Sequence, residues 1–322
     1  MNTTTTPATS SPAIAVLQCL PVQDKIPLLN ANVRHILAAF HILIMTVSAP
    51  ANSLVVYLIY YTEQYTNQST RLIMYLAVCE IFGTISVNGV STLYMFSYEK
   101  LTCPSLLVMH STVNCSISIT YMLILGIAFD RMMKIRFLND YNAVLTPFRF
   151  KLVLLWLSII ATIQSMLIFT GIYFFGYGYA TIFSAPIFFI SAVFLIVFYM
   201  LSIKKLKEMN TVSQRVSNTD RSIVKIASLH LTIFVACITP TLIWQVVSNF
   251  FLSKILSETI DILVIFFLYV LLSFHSMLNA FMFLLVNREA RRSMINFFHR
   301  IQSVFVSNQV LAAPNHEPGN EE

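Results

Sequence analysis

Charged residues are scarce in this sequence: Asp, Glu, Lys and Arg together make up 11% of its 322 residues. A soluble domain carries about 25% charged residues, so this chain lacks the charge needed to cover a water-facing surface. Hydrophobic residues reach 57%, and the mean hydropathy is +0.74. These values exclude an ordinary soluble protein and predict an integral membrane protein.

Glycine and proline are also sparse, with 7 and 11 residues, and no internal stretch has the composition of a flexible linker. Only the two ends, MNTTTTPATSSP and APNHEPGNEE, have a composition typical of disorder. We therefore expect an extracellular N-terminal tail over 1–35 and a membrane domain over 36–286. A cytoplasmic amphipathic helix and disordered tail are predicted over 287–322.

Long apolar runs fill the middle of the chain. Each is near the roughly 20 residues that a helix needs to cross a bilayer. Barrel strands would be about 10 residues long with alternating polarity, and these runs do not alternate. The sequence thus predicts an all-α bundle of seven transmembrane helices, at about 36–61, 72–96, 105–129, 152–175, 180–203, 226–252 and 260–286.

The positions of lysine and arginine predict which way the bundle faces, since positively charged loops tend to stay in the cytoplasm. With the N-terminus outside, 16 of the 20 basic residues fall on the cytoplasmic side, and only Lys25, Arg34, Lys100 and Lys254 do not. Topology therefore explains the +6 net charge without a nucleic-acid partner. Asn2, in an outside Asn-Thr-Thr sequon, is a predicted glycosylation site.

Polar, proline and tryptophan residues interrupt the apolar runs, and polar groups carry an energetic cost in hydrocarbon. In chain order they are Asn52, Glu80, Trp156, Pro186, Cys237, Pro240 and Asn279. The third run ends in GIAFDRMMKI, which places Asp130 and Arg131 at its cytoplasmic edge. In this order and topology, the set resembles the rhodopsin-like (class A) G-protein-coupled receptors. The resemblance covers about residues 36–300.

The resemblance implies a plasma-membrane receptor that binds an extracellular small molecule and activates a heterotrimeric G protein. Arg131 would be the family's arginine switch, with Asp130 and Asp220 as its resting partners. Breaking this ionic lock would let the predicted sixth helix swing outward. Plainer interpretations stay open: Asp130 and Arg131 as charges that end a span, and Asp220 as a charge favoured at a helix N-terminus.

Glu80 is the costliest residue, an acid in mid-membrane, where an ionised side chain costs roughly 2.5 to 3.5 kcal/mol. In the family, an acid here joins a cluster with water and sodium, and the candidates in this chain are Asn52, Thr120, His275 and Asn279. The family's usual acid is aspartate and a histidine is a departure, so both argue against a sodium cofactor. A protonated Glu80 is the competing state.

Several positions depart from the family's pattern. The motif of the last span has Ala280 for the usual proline and Phe283 for the usual tyrosine, and Met132 replaces the tyrosine of the arginine motif. Pro240 keeps the proline of the sixth span, but Ile238 stands where an aromatic residue is expected. These changes predict a divergent member and leave their effect on basal activity open.

Two positions narrow the ligand class. Val113 stands where amine receptors carry an aspartate, and Ser273 where opsins carry the retinal lysine, so we expect neither an amine ligand nor retinal. Neutral polar and aromatic residues remain to line a pocket, which suits a small amphipathic ligand and a chemosensory role. They are His110, Asn114, Gln164, Trp244, Gln245 and Tyr269. For each of them, a hydrogen bond between helices is an equally good interpretation.

The family's usual disulfide to the loop between the fourth and fifth helices cannot form, since that loop, about FGYGYATIF, has no cysteine. Cys19 and Cys103 are the predicted substitute pair. After the last span, NREARRSMINFFHR resembles the family's amphipathic eighth helix, whose predicted lipid-facing residues are Met294, Phe297, Phe298 and Ile301.

Two other protein classes compete with the receptor. A seven-helix transporter or channel for a small solute is the alternative, although the sequence has no internal repeat and only one mid-membrane acid, Glu80. A membrane enzyme would need clustered catalytic or metal-binding groups, whereas His41, His110, His230 and His275 lie on four different predicted helices. We therefore expect no enzymatic activity and no metal site.

Overall fold

The computed structural model describes residues 29–97, 103–137, 140–175, 177–211 and 258–286, together with scattered positions between 229 and 247 and between 290 and 303. Helices account for nearly all of these residues, and no strand occurs among them. The described part of the protein is therefore all-α, as the length and composition of the apolar runs predict.

Six long helices form this architecture. They are α1 (Ala31–Tyr61), α2 (Gln68–Ser97), α3 (Cys103–Phe137), α5 (Pro147–Phe175), α6 (Tyr177–Thr211) and α7 (Glu258–Val286). A 3-10 turn (Gln64–Thr66) follows α1, and a short helix α4 (Tyr141–Val144) precedes α5. All six long helices are long and apolar enough to cross a membrane. The chain thus has the helices of a multi-pass membrane protein.

The sixth predicted span, 226–252, falls largely outside the described residues. Its helical positions there are isolated ones, among them Cys237, which is buried, and Pro240, which is half-buried. The total of seven spans and the extracellular position of the N-terminus therefore stay predictions.

The ends of α1 follow from its local sequence. Asn30 precedes the helix, and its side-chain oxygen accepts a hydrogen bond from the backbone N–H of Asn32 at 3.0 Å. At the other end, the backbone N–H and the hydroxyl of Thr62 both donate to the carbonyl of Leu58, at 3.0 and 2.6 Å. Glu63 then adopts a left-handed φ of 55°, which turns the chain toward α2.

The helices pack in an order that leaves α3 near the centre. α1 packs against α2 and α7, α2 packs against α3 and α7, and α3 also packs against α5 and α6. Tyr121 of α3 is 1% exposed, and its ring centroid lies 4.4 Å from that of Phe188 on α6. Leu72 and Leu76 of α2 complete this apolar cluster from the other side.

Apolar side chains also cover the outer surface of the bundle. On α5, Leu155, Trp156 and Ile163 are each more than half exposed. In water a surface of this kind would drive association, whereas in a bilayer it meets lipid tails of the same polarity. The exposed faces therefore fit the lipid bilayer as a partner.

α3 is longer than the predicted span, which ends at 129, because the helix continues to Phe137. Its 35 residues extend for about 52 Å at 1.5 Å per residue, which exceeds a hydrocarbon thickness of about 30 Å. Because the helix continues for about two turns beyond residue 129, Asp130 and Arg131 lie inside it and do not end it.

One local prediction needs correction. Apart from residue 176, which lies outside the described residues, the segment FGYGYATIF is helical, since α5 runs to Phe175 and α6 begins at Tyr177, so its apolar residues continue the two helices. Met294, expected to face lipid, is half-buried and packs against an apolar cluster that includes Val55 and Leu284. Half-burial leaves part of the Met294 side chain at the surface, so its contact with lipid stays a prediction; Phe297, Phe298 and Ile301 lie outside the described residues.

The packing of α3 on α5 predicts a size limit at Gly126. A Cβ atom added there would lie 3.0 Å from Cδ1 of Leu157, which is closer than ordinary contact. Alanine requires only a small shift of that methyl group, whereas leucine must push α3 and α5 apart. We expect Gly126→Leu to lower the free energy of unfolding by about 1–3 kcal/mol, measured by thermal unfolding in bicelles.

Gly89→Leu is the matched control, because a Cβ added to Gly89 on α2 meets no atom within 4 Å. The control should retain the melting temperature of the unsubstituted protein. Equal losses in the two variants would contradict close packing at Gly126.

Candidate functional site

Buried polar side chains join α1, α2 and α7 in what we call the interhelical polar network. Its members are His41, Ser48 and Asn52 of α1, Glu80, Thr84 and Asn88 of α2, and Ser273, His275, Ser276 and Asn279 of α7; each is at most 5% exposed. Three layers can be distinguished along the helices, and each layer contains residues of all three helices or of α2 and α7.

The first layer lies toward the outer ends of the helices and centres on Asn88. The Nδ2 of Asn88 donates to the carbonyl of Thr84 at 2.8 Å, which leaves its Oδ1 as the acceptor. His41 Nδ1 lies 2.8 Å and Ser273 Oγ 3.0 Å from that Oδ1. One amide oxygen on α2 therefore accepts from both α1 and α7.

Three hydroxyl groups form the middle layer. Ser48, Thr84 and Ser276 lie 2.8 to 3.2 Å from one another, so each helix contributes one hydroxyl to a closed triangle. Asn52 Nδ2 donates to the carbonyl of Ser48 at 3.0 Å and lies 3.3 Å from the carbonyl of Ser276. Hydrogen bonds in such a chain strengthen one another in a medium of low dielectric constant.

The third layer contains Glu80, which is 4% exposed. Asn279 Nδ2 donates to Glu80 Oε1 at 3.3 Å, and His275 Nδ1 lies 3.4 Å from the same oxygen. Asn279 Nδ2 also lies 3.2 Å from His275 Nε2, so the three side chains form one group. The predicted association of Glu80 with His275 and Asn279 is therefore present in the structure.

Asn52 and Thr120, the other two predicted members, take different positions. Asn52 bonds in the middle layer with Ser48 and Ser276, and no described hydrogen bond joins it to Glu80. Thr120 lines a cavity beside Glu80, together with Thr84 and Ser276. The volume open to the centre of a water molecule is about 30 Å³ there, enough for about two waters.

The described hydrogen-bond partners of the Glu80 side chain are nitrogen atoms of His275 and Asn279, whereas hard cations require several oxygen ligands. The hydroxyl residues Thr84, Thr120 and Ser276 line the cavity beside Glu80. Among the residues described, no group of three or more His, Cys, Asp or Glu side chains could hold a metal. The absence of a sodium cofactor therefore stays a prediction.

A second cluster lies at the C-terminal end of α3, the end predicted to be cytoplasmic, around Asp130, which is 1% exposed. Ser69 of α2 donates to one carboxylate oxygen, and Tyr141 of α4 donates to the other. Lys134 Nζ bonds to the Ser69 hydroxyl and lies 5.1 Å from the centroid of the Tyr141 ring. Asp130 thus ties α2 and α4 to the end of α3.

Arg131 is 9% exposed, and the described residues supply no hydrogen bond or ion pair between it and Asp130. Both carboxylate oxygens of Asp130 are already occupied by hydroxyl donors. Asp220, the other predicted partner of Arg131, lies outside the described residues. The ionic lock therefore stays a prediction, and its Asp130 part has no direct contact in this structure.

The outer cavity lies between α2, α3 and α7. Val113 and Tyr269, both predicted pocket residues, line it with Val87, Tyr94 and Phe266. Apolar side chains make up almost all of its lining, and the phenol groups of Tyr94 and Tyr269 are among the exceptions. No described carboxylate lines it, which agrees with the absence of an acid at Val113.

The other predicted pocket residues lie elsewhere or beyond description. Gln164 of α5 is fully buried, and neither polar atom of its amide has a described hydrogen-bond partner. Asn114 and Trp244 are half-buried and have interactions of their own. The His110 and Cys103 side chains, and the whole of Gln245, Cys19 and Asn2, are outside the described part. Phe283 is buried in the apolar cluster with Val55, away from water.

Much of the polar network was not predicted. Ser48, Thr84, Ser273 and Ser276 are small hydroxyl residues, which are common inside membrane helices and therefore give no signal. Asn88 was overlooked, although it is a polar residue inside an apolar run. A signal was present on α2, where Glu80, Thr84 and Asn88 recur every four residues and so share one face. Ser69 and Tyr141 gave no comparable signal, since only the fold brings them to Asp130.

A comparison with known protein families finds no match for this chain, and a comparison with curated proteins finds none either. The described fold and site therefore define its class as a multi-pass, all-α membrane protein with a buried polar network.

The cytoplasmic cluster predicts an effect of Tyr141→Phe, which removes one of the two donors to Asp130. We expect a loss of about 1.5 kcal/mol in the free energy of unfolding, because the lost hydrogen bond has a charged acceptor. Thermal unfolding in bicelles measures it. Tyr65→Phe is the control, since Tyr65 is exposed and stacks on Tyr60.

The same contact has a pH dependence. Burial, and then the hydrogen bond to Asp130, raise the pKa of Tyr141 above its ordinary value. A raised pKa of an acid in the folded state stabilises the protein fully below the unfolded pKa of about 10, and the contribution falls as the pH rises above it. The difference between the protein and Tyr141→Phe should therefore shrink above about pH 10; a difference that grows there would contradict it.

The Glu80 group predicts a coupling between Glu80 and His275. His275→Phe keeps an aromatic ring but strips the carboxylate of one partner, and we expect it to cost about 3 kcal/mol. In a Glu80→Gln background the same change should cost less than about 1 kcal/mol, because no charge is then left without its partner. Unfolding of the four proteins in bicelles measures the cycle. Equal costs in the two backgrounds would show that the pair is not coupled.

Proposed function

We propose that the chain is a receptor of the rhodopsin-like G-protein-coupled type. It binds a small extracellular molecule near the outer end of the bundle and activates a heterotrimeric G protein at the inner end. It acts from the plasma membrane with its N-terminus outside. The sequence motifs support this assignment, and the geometry of the residues in those motifs supports it further.

The observation that carries the proposal is the convergence of Asn52, Glu80 and Asn279. The motifs select these residues from three separate helices, and all three are at most 5% exposed in one network between α1, α2 and α7. Polar residues of membrane helices commonly meet inside a bundle, so the support lies in which residues meet: the three that the motifs select. Their meeting is what an activation core of this receptor class requires.

The inner end supports the coupling step. Ser69 and Tyr141 donate to the two carboxylate oxygens of Asp130, and no hydrogen bond or ion pair between Asp130 and the adjacent Arg131 is described. In the proposed resting state Arg131 pairs with Asp220 instead. An agonist that binds the open state more tightly shifts the population toward outward movement of the predicted sixth helix, and the G protein then contacts Arg131.

The outer end supports the proposed ligand class. Val113, Phe266 and Tyr269 line a small apolar cavity of about 10 Å³, which an uncharged ligand would have to widen in order to bury hydrophobic surface there. Tyr94 and Tyr269 carry the phenol groups of that lining, and no described lining residue carries a negative charge. This lining supports the proposal of a small, weakly polar ligand and of a chemosensory role.

The test is nucleotide exchange on a panel of G proteins in membranes that contain the protein, Arg131→Ala, Asp220→Ala or Arg71→Ala, with and without a panel of small volatile and amphipathic compounds. We expect Arg131→Ala to reduce exchange at least tenfold and Asp220→Ala to raise basal exchange. Arg71→Ala is the matched control, because Arg71 is a cytoplasmic arginine that bonds to the carbonyl of Tyr65 at the start of α2.

Loss of exchange in Arg131→Ala alone, with Arg71→Ala unchanged, supports the receptor. If the protein and all variants match empty membranes under every compound, the proposal is contradicted. Solute flux into liposomes that contain the protein then becomes the measurement, since a transporter or channel is the alternative.

A further inference from the structure

Three residues of the polar network, His41, Asn88 and Ser273, play no part in the proposed coupling or in ligand binding. His41 and Asn88 are fully buried and Ser273 is 3% exposed. A polar group in hydrocarbon is costly unless it is hydrogen-bonded, so their mutual bonds offset the cost of placing them there. Their hydrogen bonds join α1, α2 and α7 to one another.

Asn88 is the shared member of this group. Its Oδ1 accepts from His41 on α1 and from Ser273 on α7, while its Nδ2 bonds within α2. A single side chain therefore fixes the spacing of three helices. Removing its amide oxygen would release α1 and α7 from α2 at this level at the same time.

The group also touches the wall of the outer cavity at two points. The His41 ring packs edge-on against Phe266, with centroids 6.4 Å apart, and Phe266 lines the cavity. Ser273 Oγ lies 2.9 Å from the carbonyl of Tyr269, another lining residue, and 3.0 Å from Asn88 Oδ1. The single hydroxyl proton of Ser273 is thus shared between the cavity wall and the network.

Toward the inner side, the same helix is held again at each following layer. Ser276 bonds to Thr84 at 2.8 Å, and Asn279 bonds to Glu80 at 3.3 Å. α7 runs from Glu258 to Val286 without a proline. Position 280 is an alanine, so the helix has no proline there at which it could bend. A helix fastened at three levels and lacking a hinge residue is expected to move as a rigid rod.

We propose that His41, Asn88 and Ser273 are positioning residues that make α7 move as one body with α1 and α2. A displacement of the cavity wall at Phe266 and Tyr269 then reaches Asn279, ten residues or about 15 Å further along α7, without bending the helix. The inference goes beyond the proposed function, since it holds for a transporter as well as for a receptor.

The experiment measures distances between spin-labelled amino acids, introduced by genetic encoding so that the native cysteines remain, in the full chain in nanodiscs. The outer pair replaces Ile36 of α1 and Ile260 of α7, and the inner pair replaces Tyr61 and Leu285; all four side chains are about half exposed or more. Asn88→Leu and Ser273→Ala are then introduced into each labelled protein.

We expect narrow distance distributions for both pairs in the unsubstituted chain. Asn88→Leu should broaden both distance distributions at least twofold. Ser273→Ala, a much smaller substitution, should also broaden both distributions, by a smaller factor. Thr92→Val is the matched control, because the Thr92 hydroxyl bonds only to the backbone carbonyl of Asn88 in its own helix. It should leave both distributions unchanged.

A third pair separates positioning from general loosening. Ile119 of α3 and Ile163 of α5 are exposed and lie outside the network, so their distance distribution should stay narrow in every variant. Broadening of the outer pair alone would overturn the proposal, since the inner end of α7 would then move independently. Broadening of all three pairs alike, or of none, would overturn it too.

Discussion

The absence of water in the hydrocarbon core is the constraint on which this structure depends. A buried polar group there costs several kcal/mol unless it has a partner within the protein. The chain meets this demand by gathering polar side chains of α1, α2 and α7 into one network with three layers. The position of α7 against α1 and α2 follows from that requirement.

The other half of the bundle is held by a different kind of contact. α3, α5 and α6 meet through apolar surfaces, such as the Tyr121–Phe188 contact and the close approach of Gly126 to Leu157. Hydrogen bonds fix direction and register, whereas apolar contacts fix only shape. The described contacts thus differ on the two sides of the bundle: hydrogen bonds join α1, α2 and α7, and apolar contacts are prominent between α3, α5 and α6.

Asp130 is the point at which the charged end of α3 is integrated into the fold. Its two hydroxyl partners come from α2 and α4, so the acid connects these two helices to the end of α3 and also ends the apolar run. This use of Asp130 leaves Arg131 chemically distinct from its neighbour. In the proposed mechanism that separation assigns structure to the acid and switching to the base.

How much of this could be predicted depended on whether a feature was local. Helix length and apolar composition are local, so the six described spans follow from the sequence. The group of Glu80, His275 and Asn279 was expected from the resemblance to the receptor family, in which polar residues at these positions cluster. Asn52 lies one layer away from Glu80, and Tyr141 and Ser69 reach Asp130 only through tertiary packing, which spacing along the chain does not encode. Met294 packs in part against an apolar cluster of residues from α1 and α7, a tertiary contact that its local sequence does not encode.

The most direct test of the central claim, that polar contacts fasten α7 to α1, is a disulfide between Ser48→Cys and Ser276→Cys. The two native hydroxyls lie 2.9 Å apart, and the account predicts a bond on mild oxidation that keeps the chain in one piece after cleavage at a protease site placed between 212 and 228. Ser53→Cys with Ser276→Cys should not link, because Ser53 is exposed on the outer face of α1 and bonds to Ala49 within the same helix. Two separate fragments from the Ser48 and Ser276 pair would contradict the account.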